Sequence, residues 1–308
     1  MNAKKNQLHP RNAHVGHYPL AQLVACYSPL KKFIVSKPDN TKTINFSLPD
    51  AVKALNTALL HHYYGVTFWD IPEGYLCPAI PGRADYVHYI ADLLAHDHGG
   101  KIPKGKQIKG LDVGTGANLV YPIIGVSSYD WKFVGADIDP VSVKSASAIA
   151  SNNTCLKSNV VIRKQSNKNH LFKGIVKPED KFDFCMCNPP FHKSAQDAAE
   201  GTKRKVRNLS KNANKRQSSI ASKEKVGLNF KGQSNELWCD GGEFSFINKM
   251  IKESLEFKDQ VIWFTSLVSK SEHLPRLKKS LSQIGVSESK IINMAQGQKI
   301  SRFIAWRF

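Results

Sequence analysis

The densest chemistry in the 308-residue chain sits in eight residues, Cys185-Met186-Cys187-Asn188-Pro189-Pro190-Phe191-His192. Two thiols and an imidazole are metal-ligand types. Cys185 and Cys187, however, lie two apart in an apolar run, which on a strand puts both on one face, and His192 offers at most a third ligand without a fourth nearby. Reduced cysteines in a strand core are the expected state, and no metal is expected. Upstream, LDVGTGAN (111–118) places Gly114 and Gly116 directly after a short apolar run, where they would form a floor that lets the backbone approach a bound cofactor. The stretch has neither the Gly-Lys-Ser/Thr ending of a P-loop nor the third glycine of the dinucleotide fingerprint, so an ordinary strand-to-helix turn stays open for it. About twenty residues further on, in ADIDP (136–140), Asp137 can accept hydrogen bonds from both ribose hydroxyls of an adenosine-containing cofactor, with Ile138 against the adenine face. Asp139 can cap a helix that opens at Pro140, and the competing reading makes both carboxylates helix-start residues.

These loops need elements to hold them. IKGLDV (108–113), WKFVGADI (131–138), NVVIRK (159–164), KFDFCMC (181–187) and QVIWFTSL (260–267) are short runs rich in Val, Ile and Phe, separated by helical segments such as PVSVKSASAIASNN and EFSFINKMIKESLEF. Strands alternating with helices predict an α/β fold, a parallel sheet covered on both faces. SRFIAWRF (301–308) is expected to add one more strand, antiparallel and near the sheet edge. Residues 1–100 read differently. AVKALNTALLHHYYG (51–65) repeats Val52, Leu55, Leu59 and Tyr63 at helical spacing and stops at Gly65. A proline-rich connector, WDIPEGYLCPAIPGR, then leads to a second helical pattern, ADYVHYIADLLAH (84–96). The expected organisation is an N-terminal extension over 1–100 and a main domain over 101–308. From Lys193 to about residue 235 the sequence is polar and rich in Ser, Asn and Lys, which predicts a mobile basic insertion.

Forty-four Lys and Arg against 25 Asp and Glu give a net charge of +19, the electrostatic footprint of a protein whose partner carries many phosphates. No run of about 18 apolar residues occurs and no apolar core follows the first lysines, so the expectation is a cytoplasmic protein without a membrane span. The six cysteines lack paired spacing and are expected to stay reduced.

With KFDFCMC read as a strand, NPPF becomes the turn at its carboxyl end, on the same rim as the other two loops. An Asn-Pro-Pro-aromatic turn there resembles motif IV of the S-adenosylmethionine-dependent amino methyltransferases, which modify the amino groups of nucleobases or a glutamine amide. An exocyclic amine is a poor nucleophile because its lone pair is delocalised into the ring. The Asn188 side-chain oxygen and the Pro189 carbonyl can accept its two hydrogens and align the nitrogen for in-line displacement. Pro189 and Pro190 remove two donors and stiffen the turn, and Phe191 can stack on a flipped or single-stranded base.

Further stretches narrow the resemblance. LHPRNAH (8–14), NFSLPDAVKALNTALL (45–60), WDIPEGYLCPAIPGRADYVHYIADLL (69–94), DFCMCNPPFH (183–192) and GGEFSFINKMI (241–251), in order, resemble the bacterial 23S rRNA adenine-N6 methyltransferase F family and its eukaryotic relatives that methylate small nuclear RNA. The resemblance implies a class I methyltransferase fold, a doubly wound, mostly parallel, seven-stranded sheet with a mainly helical N-terminal extension. It implies S-adenosylmethionine as methyl donor and, as substrate, the N6 amino group of one adenine, position 1618 of 23S rRNA, free or within an assembling large subunit. It further implies that Arg83 reaches the methionine carboxylate of the cofactor, as suits an arginine fork, and that Gly114, Asp137 and Asn188 also contact it. Candidate substrate contacts are His192, the insertion residues Lys203, Arg204 and Arg207, and, at the amino terminus, Lys4, Lys5, Arg11 and His14, all as phosphate partners except His192. Glu243 is read either as a substrate-positioning group or as a helix cap. A monomer is expected. Two other readings stay open: rRNA guanine-N2 methylation by the same NPPFH turn, and a non-catalytic RNA-binding assembly factor that keeps the fold.

Overall fold

The structure is a computed structural model that describes residues 8–194, 197, 238–296 and 299–308. Seven strands form the central sheet: β3 (Lys109–Val113), β4 (Lys132–Asp137), β5 (Val160–Lys164), β6 (Phe182–Cys187), β7 (Val261–Leu267), β8 (Glu288–Gln296) and β9 (Lys299–Arg307). Their spatial order is β5-β4-β3-β6-β7-β9-β8. The first five pair in parallel, and β9 runs antiparallel to both neighbours. This is the expected doubly wound sheet, and its order reverses between β3 and β6. A crevice opens at the carboxyl ends of strands at such a reversal.

Each strand feeds two cores because alternate side chains point to opposite faces. Phe184, Met186, Trp263, Phe303 and Ala305 belong to one buried cluster, whereas Cys185, Cys187, Phe264, Ile304 and Trp306 belong to the other. The second face is covered by α7 (Gly242–Ser254) and α8 (Leu274–Gln283), through Ile247, Met250, Ile251, Leu277 and Leu281. On the first face lie α4 (Val120–Tyr129), α5 (Pro140–Ser151) and the short α6 (Thr154–Lys157). The same cluster takes in α1 (Leu20–Cys26), α2 (Pro49–Tyr64) and α3 (Ile80–Ala95), so residues 20–95 share a core with the sheet. A small antiparallel hairpin, β1 (Ile34–Ser36) with β2 (Lys42–Ile44), interrupts these helices.

One boundary and two sets of strands depart from the sequence reading. α3 opens at Ile80, four residues early, because Pro81 occupies its first turn, where a fixed φ and a missing N–H cost nothing. Arg83 is therefore helical rather than part of a connector. β9 is antiparallel and near the edge as expected, but the edge itself is β8, whose ESKIINMAQ mixes charge with apolar residues and was not read as a strand. The hairpin strands are three residues each, too short to carry a pattern.

Tryptophan N–H groups fasten the connections. Trp69 donates to the Asn118 carbonyl at 2.9 Å, Trp263 to Asp97 at 2.7 Å and Trp306 to Ser254 at 3.0 Å. Glu253 accepts the amides of Leu171, Phe172 and Lys173 at 2.8–3.0 Å, pinning the loop after β5 to α7.

Residues 9–14 lie along α3. His9 donates its amide to Asp85, Asn12 reaches Asp85 and the Pro81 carbonyl, and His14 bonds Tyr64. Arg11 is engaged in the same docking, with Nε on Tyr129 and Nη2 on Asp92 and the His88 carbonyl. For His14 this argues against the expected RNA phosphate contact, since burial pushes its imidazole down to about 4 and leaves it neutral, whereas Arg11 keeps an exposed side chain while bonded to α3 and Tyr129. His88 is likewise lowered to about 4, chiefly by burial. His14, the one of the two that lies in this segment, ionises near 6.5 when the segment is open. Below that pH the opened segment takes up protons that the docked one refuses, so docking weakens as pH falls from 6.5 toward 4. Amide exchange of residues 9–14, corrected for its intrinsic pH dependence, should therefore accelerate between pH 7 and pH 4.5, with a loss on the order of 3 kcal/mol.

Candidate functional site

A cleft opens at the carboxyl ends of β3, β4 and β6, lined among others by Arg83, Gly114, Gly116, Asp137, Ile138 and Asn188. Six sequence candidates for a cofactor site thus meet in one place. Pro190 also lines it. The cavity volume is about 170 Å³.

The floor is the turn after β3. Gly114 and Gly116 have φ of +75° and +65°, a region that side chains with a Cβ rarely enter. A Cβ on Gly114 would meet nothing within 4 Å, because that position faces open space in the cleft. The Gly114 and Thr115 amides donate to the Ala136 carbonyl at 2.8 and 2.9 Å, locking the turn to the end of β4.

Asp137 ends β4 and is held by backbone donors: Gly116 N–H to Oδ2 at 2.8 Å and Asp139 N–H to Oδ1 at 3.0 Å. Burial raises its carboxyl above the usual range, opposed by those amides. Ile138 beside it is 38% exposed, an apolar side chain presented at the mouth. Asp139 is a helix cap, accepting from Ser142 N–H at 2.8 Å, and it also receives the Tyr75 hydroxyl. The two carboxylates have therefore separated into one cleft group and one cap.

Opposite, the first turn of α3 delivers Arg83. Its Nη1 donates to the Tyr121 hydroxyl at 3.0 Å, and its guanidinium lies 5.7 Å from that ring's centroid. Beneath the floor, Asp112 is fully buried, bonded to Thr115 Oγ1 at 2.7 Å, and pushed up to about 7 by that burial.

Asn188 follows β6 directly. Its Oδ1 is buried yet has no hydrogen-bond partner among the described residues. A buried amide oxygen left unpaired costs about 1–3 kcal/mol, so this acceptor is available to a donor beyond the described residues. Pro189 is buried and Phe191 half-buried, and neither lines the cleft. His192 pairs with Trp238 as an isolated bridge and places Nδ1 3.5 Å from Asp197. Cys185 and Cys187 are buried in the strand core, and no cluster of metal-binding side chains occurs among the described residues.

Glu243 departs from both readings made of it. Its side chain is fully buried and accepts the amides of Ser269 and Lys270 at 2.6 and 3.2 Å and meets His273 Nδ1 at 2.8 Å. It anchors the loop after β7 and neither caps its own helix nor reaches the cleft. Lys4, Lys5, Lys203, Arg204 and Arg207 lie outside the described residues, as does nearly all of the basic insertion.

Several lining residues were not singled out from sequence, among them Leu76, Tyr121, Gln165, His170 and Phe246. Gln165 had a usable signal, since it directly follows β5 and so sits on the same rim. Tyr121 had none, being one aromatic in an apolar helix.

Comparison with known proteins agrees with this geometry. A family model described as RNA methyltransferase matches residues 2–308. A protein of Pseudoalteromonas atlantica named ribosomal RNA large subunit methyltransferase F is 52% identical over 303 residues, covering 98% of this chain and 92% of its own. One of the same name from Desulfotalea psychrophila is 54% identical over 304 residues, covering 98% and 94%. Among solved structures, the hMettl16 catalytic domain in complex with MAT2A 3'UTR hairpin 1 superposes with a TM-score of 0.79 at 28% identity, over 98% of this chain and 96% of that one. The N-terminal domain of human METTL16 in complex with SAH gives 0.73 at 26%, over 98% of each. A strand-order reversal with a glycine turn, a buried aspartate and an unpaired asparagine oxygen at its rim, in a chain matched end to end, places this protein in the RNA methyltransferase family.

Proposed function

We propose that the protein transfers a methyl group from S-adenosylmethionine to the N6 amino group of one adenine in 23S ribosomal RNA. The observation that carries this reading is the buried Asn188 Oδ1 at the end of the cofactor cleft, which has no partner among the described residues and can accept an amine hydrogen. The names of the bacterial relatives, and solved neighbours that hold an RNA hairpin or SAH, support the substrate and the donor.

The cleft residues fit the donor group by group. Arg83 suits its carboxylate, Asp137 its ribose hydroxyls, Ile138 its adenine face, and the Gly114–Gly116 turn leaves room for its backbone-close passage. S-adenosylmethionine, when bound, supplies an electrophilic methyl group on a sulfonium. Asn188 Oδ1 and the Pro189 carbonyl then accept the two hydrogens of the adenine amine, favouring a pyramidal nitrogen with its lone pair toward the methyl group. No strong base is needed at the moment of transfer, because the nitrogen sheds its proton after becoming cationic. Pro190 stiffens the turn, and Phe191 stacks on the base.

Residues 1–100 serve to complete the cofactor site, since Arg83, Leu76 and Pro78 come from them. The net charge of +19 suits a polyanionic partner, and a cytoplasmic monomer acting on ribosomal RNA is the working state. No helix among the described residues is long and apolar enough to cross a membrane.

Labelled methyl transfer to unmodified 23S rRNA in its assembly states, followed by digestion to nucleosides, should give N6-methyladenosine; N2-methylguanosine would instead establish guanine chemistry, and no label in any state would end the reading. Asn188→Ala should lower turnover by at least about 100-fold while cofactor affinity, by calorimetry, survives in part. Asp137→Ala should do the reverse in emphasis, weakening cofactor binding by about tenfold or more through lost ribose contacts, with transfer recovering at high cofactor concentration.

A further inference from the structure

The sheet comes apart beside the Asn188 turn, and a helix side chain fills the gap. β6 and β7 pair from Phe182–Val261 to Cys185–Phe264. Beyond that point β6 stays with β3, through Asp112–Met186 and Val113–Cys187, while β7 continues with β9 from Phe264–Trp306 to Leu267–Phe303. The last residues of β6 therefore reach Asn188 without β7 alongside.

Tyr86 of α3 takes that place. Thr265 Oγ1 donates to the Cys185 carbonyl at 2.9 Å, which uses its only proton. The 2.6 Å bond between the Tyr86 hydroxyl and Thr265 Oγ1 must then be donated by Tyr86. The Tyr86 oxygen in turn accepts the Cys187 amide, at a longer 3.5 Å. The direction of the series is thus set throughout: Cys187 N–H to Tyr86, Tyr86 to Thr265, Thr265 to the Cys185 carbonyl. Two side-chain hydroxyls replace the strand ladder across the residues that lead into Asn188.

Tyr86 is fully buried and its ring is wedged against Tyr121, at 5.6 Å between centroids, and Phe303, at 5.0 Å. Tyr121 is also the partner of Arg83, three residues before Tyr86 on the same helix. One turn of α3 thus touches the cofactor end of the cleft through Arg83 and the Asn188 end through Tyr86.

We infer that Tyr86, acting with Thr265, is a positioning residue for the Asn188 turn, so that the N-terminal helix α3 sets the methyl-transfer step as well as the cofactor site. The inference rests on the proposed role of Asn188 and assigns to Tyr86 no contact with either substrate. A displacement of about 1 Å at a reacting group can cost on the order of 100-fold in rate, far more than the loss of one buried hydrogen bond costs in stability.

Tyr86→Phe keeps the ring packing and removes only the hydroxyl. In the full chain, turnover at saturating RNA and cofactor should fall on the order of 10- to 100-fold, while cofactor affinity changes by less than about threefold. Thr265→Val should reproduce the loss, Thr265→Ser should restore turnover to near wild type, and Tyr86→Phe with Thr265→Val together should cost no more than either alone. Amide exchange measures the positioning without reference to activity: the Cys187 and Asn188 amides should exchange about tenfold faster in Tyr86→Phe, with β3 and β4 unchanged. Unchanged exchange at those amides would overturn the inference, as would turnover within twofold of wild type in a folded Tyr86→Phe or Thr265→Val protein. Wild-type protein that methylates no RNA would sink the proposed function instead, and the exchange arm would still decide whether Tyr86 holds the turn.

Discussion

The reversal of strand order between β3 and β6 is the constraint on which the rest depends. Helices leave the two strands toward opposite sides of the sheet, so nothing in the sheet itself covers their carboxyl ends. The glycine turn after β3, the aspartate that ends β4 and the asparagine after β6 then face a common space. Each is fixed by the backbone: the first by two amides on the Ala136 carbonyl, the second by the amides of Gly116 and Asp139, the third by its place directly after the strand. The site is preorganised by the way the sheet ends, with little left to side-chain choice.

An open crevice needs a lid that brings charge with it, and α3 is that element. It shares the core of the sheet through Tyr86, Val87, Ile90 and Leu94, which makes its position as firm as that of the strands. Its first turn supplies Arg83, and the second supplies Tyr86 at the place where β6 and β7 part. Residues 9–14 then hold the outer face of α3 through Asp85, Asp92 and His88. The LHPRNAH stretch is thus a strap on a site helix.

What the sequence disclosed divides along physical lines. The parallel strands were legible because short apolar runs rich in β-branched and aromatic residues alternate with helical segments, and the rim loops because the Gly-x-Gly turn, the aspartate and Asn-Pro-Pro each follow such a run, which puts all three at carboxyl ends of strands. Glu243 was not, since a carboxylate that opens a helix gives no hint that three donors from residues 269–273 will surround it. Arg11 looked like a free cation for the same reason: its partners at 88, 92 and 129 are brought together by the fold alone. β8 escaped notice because an edge strand need not alternate cleanly when one side faces solvent. Tyr86 and Thr265 lie 179 residues apart, and only the splaying of β6 from β7 makes them meet.

One crevice holds the methyl donor between Arg83 and Asp137, with its reactive end at Asn188, if the proposed function is right. A crystal structure of the protein soaked with S-adenosylhomocysteine tests it most directly. The ligand's carboxylate should lie within about 3 Å of the Arg83 guanidinium, its ribose hydroxyls on Asp137, and its sulfur should point toward Asn188 Oδ1. A ligand bound elsewhere, or one in this cleft with its carboxylate away from Arg83 and its sulfur turned from Asn188, would contradict it.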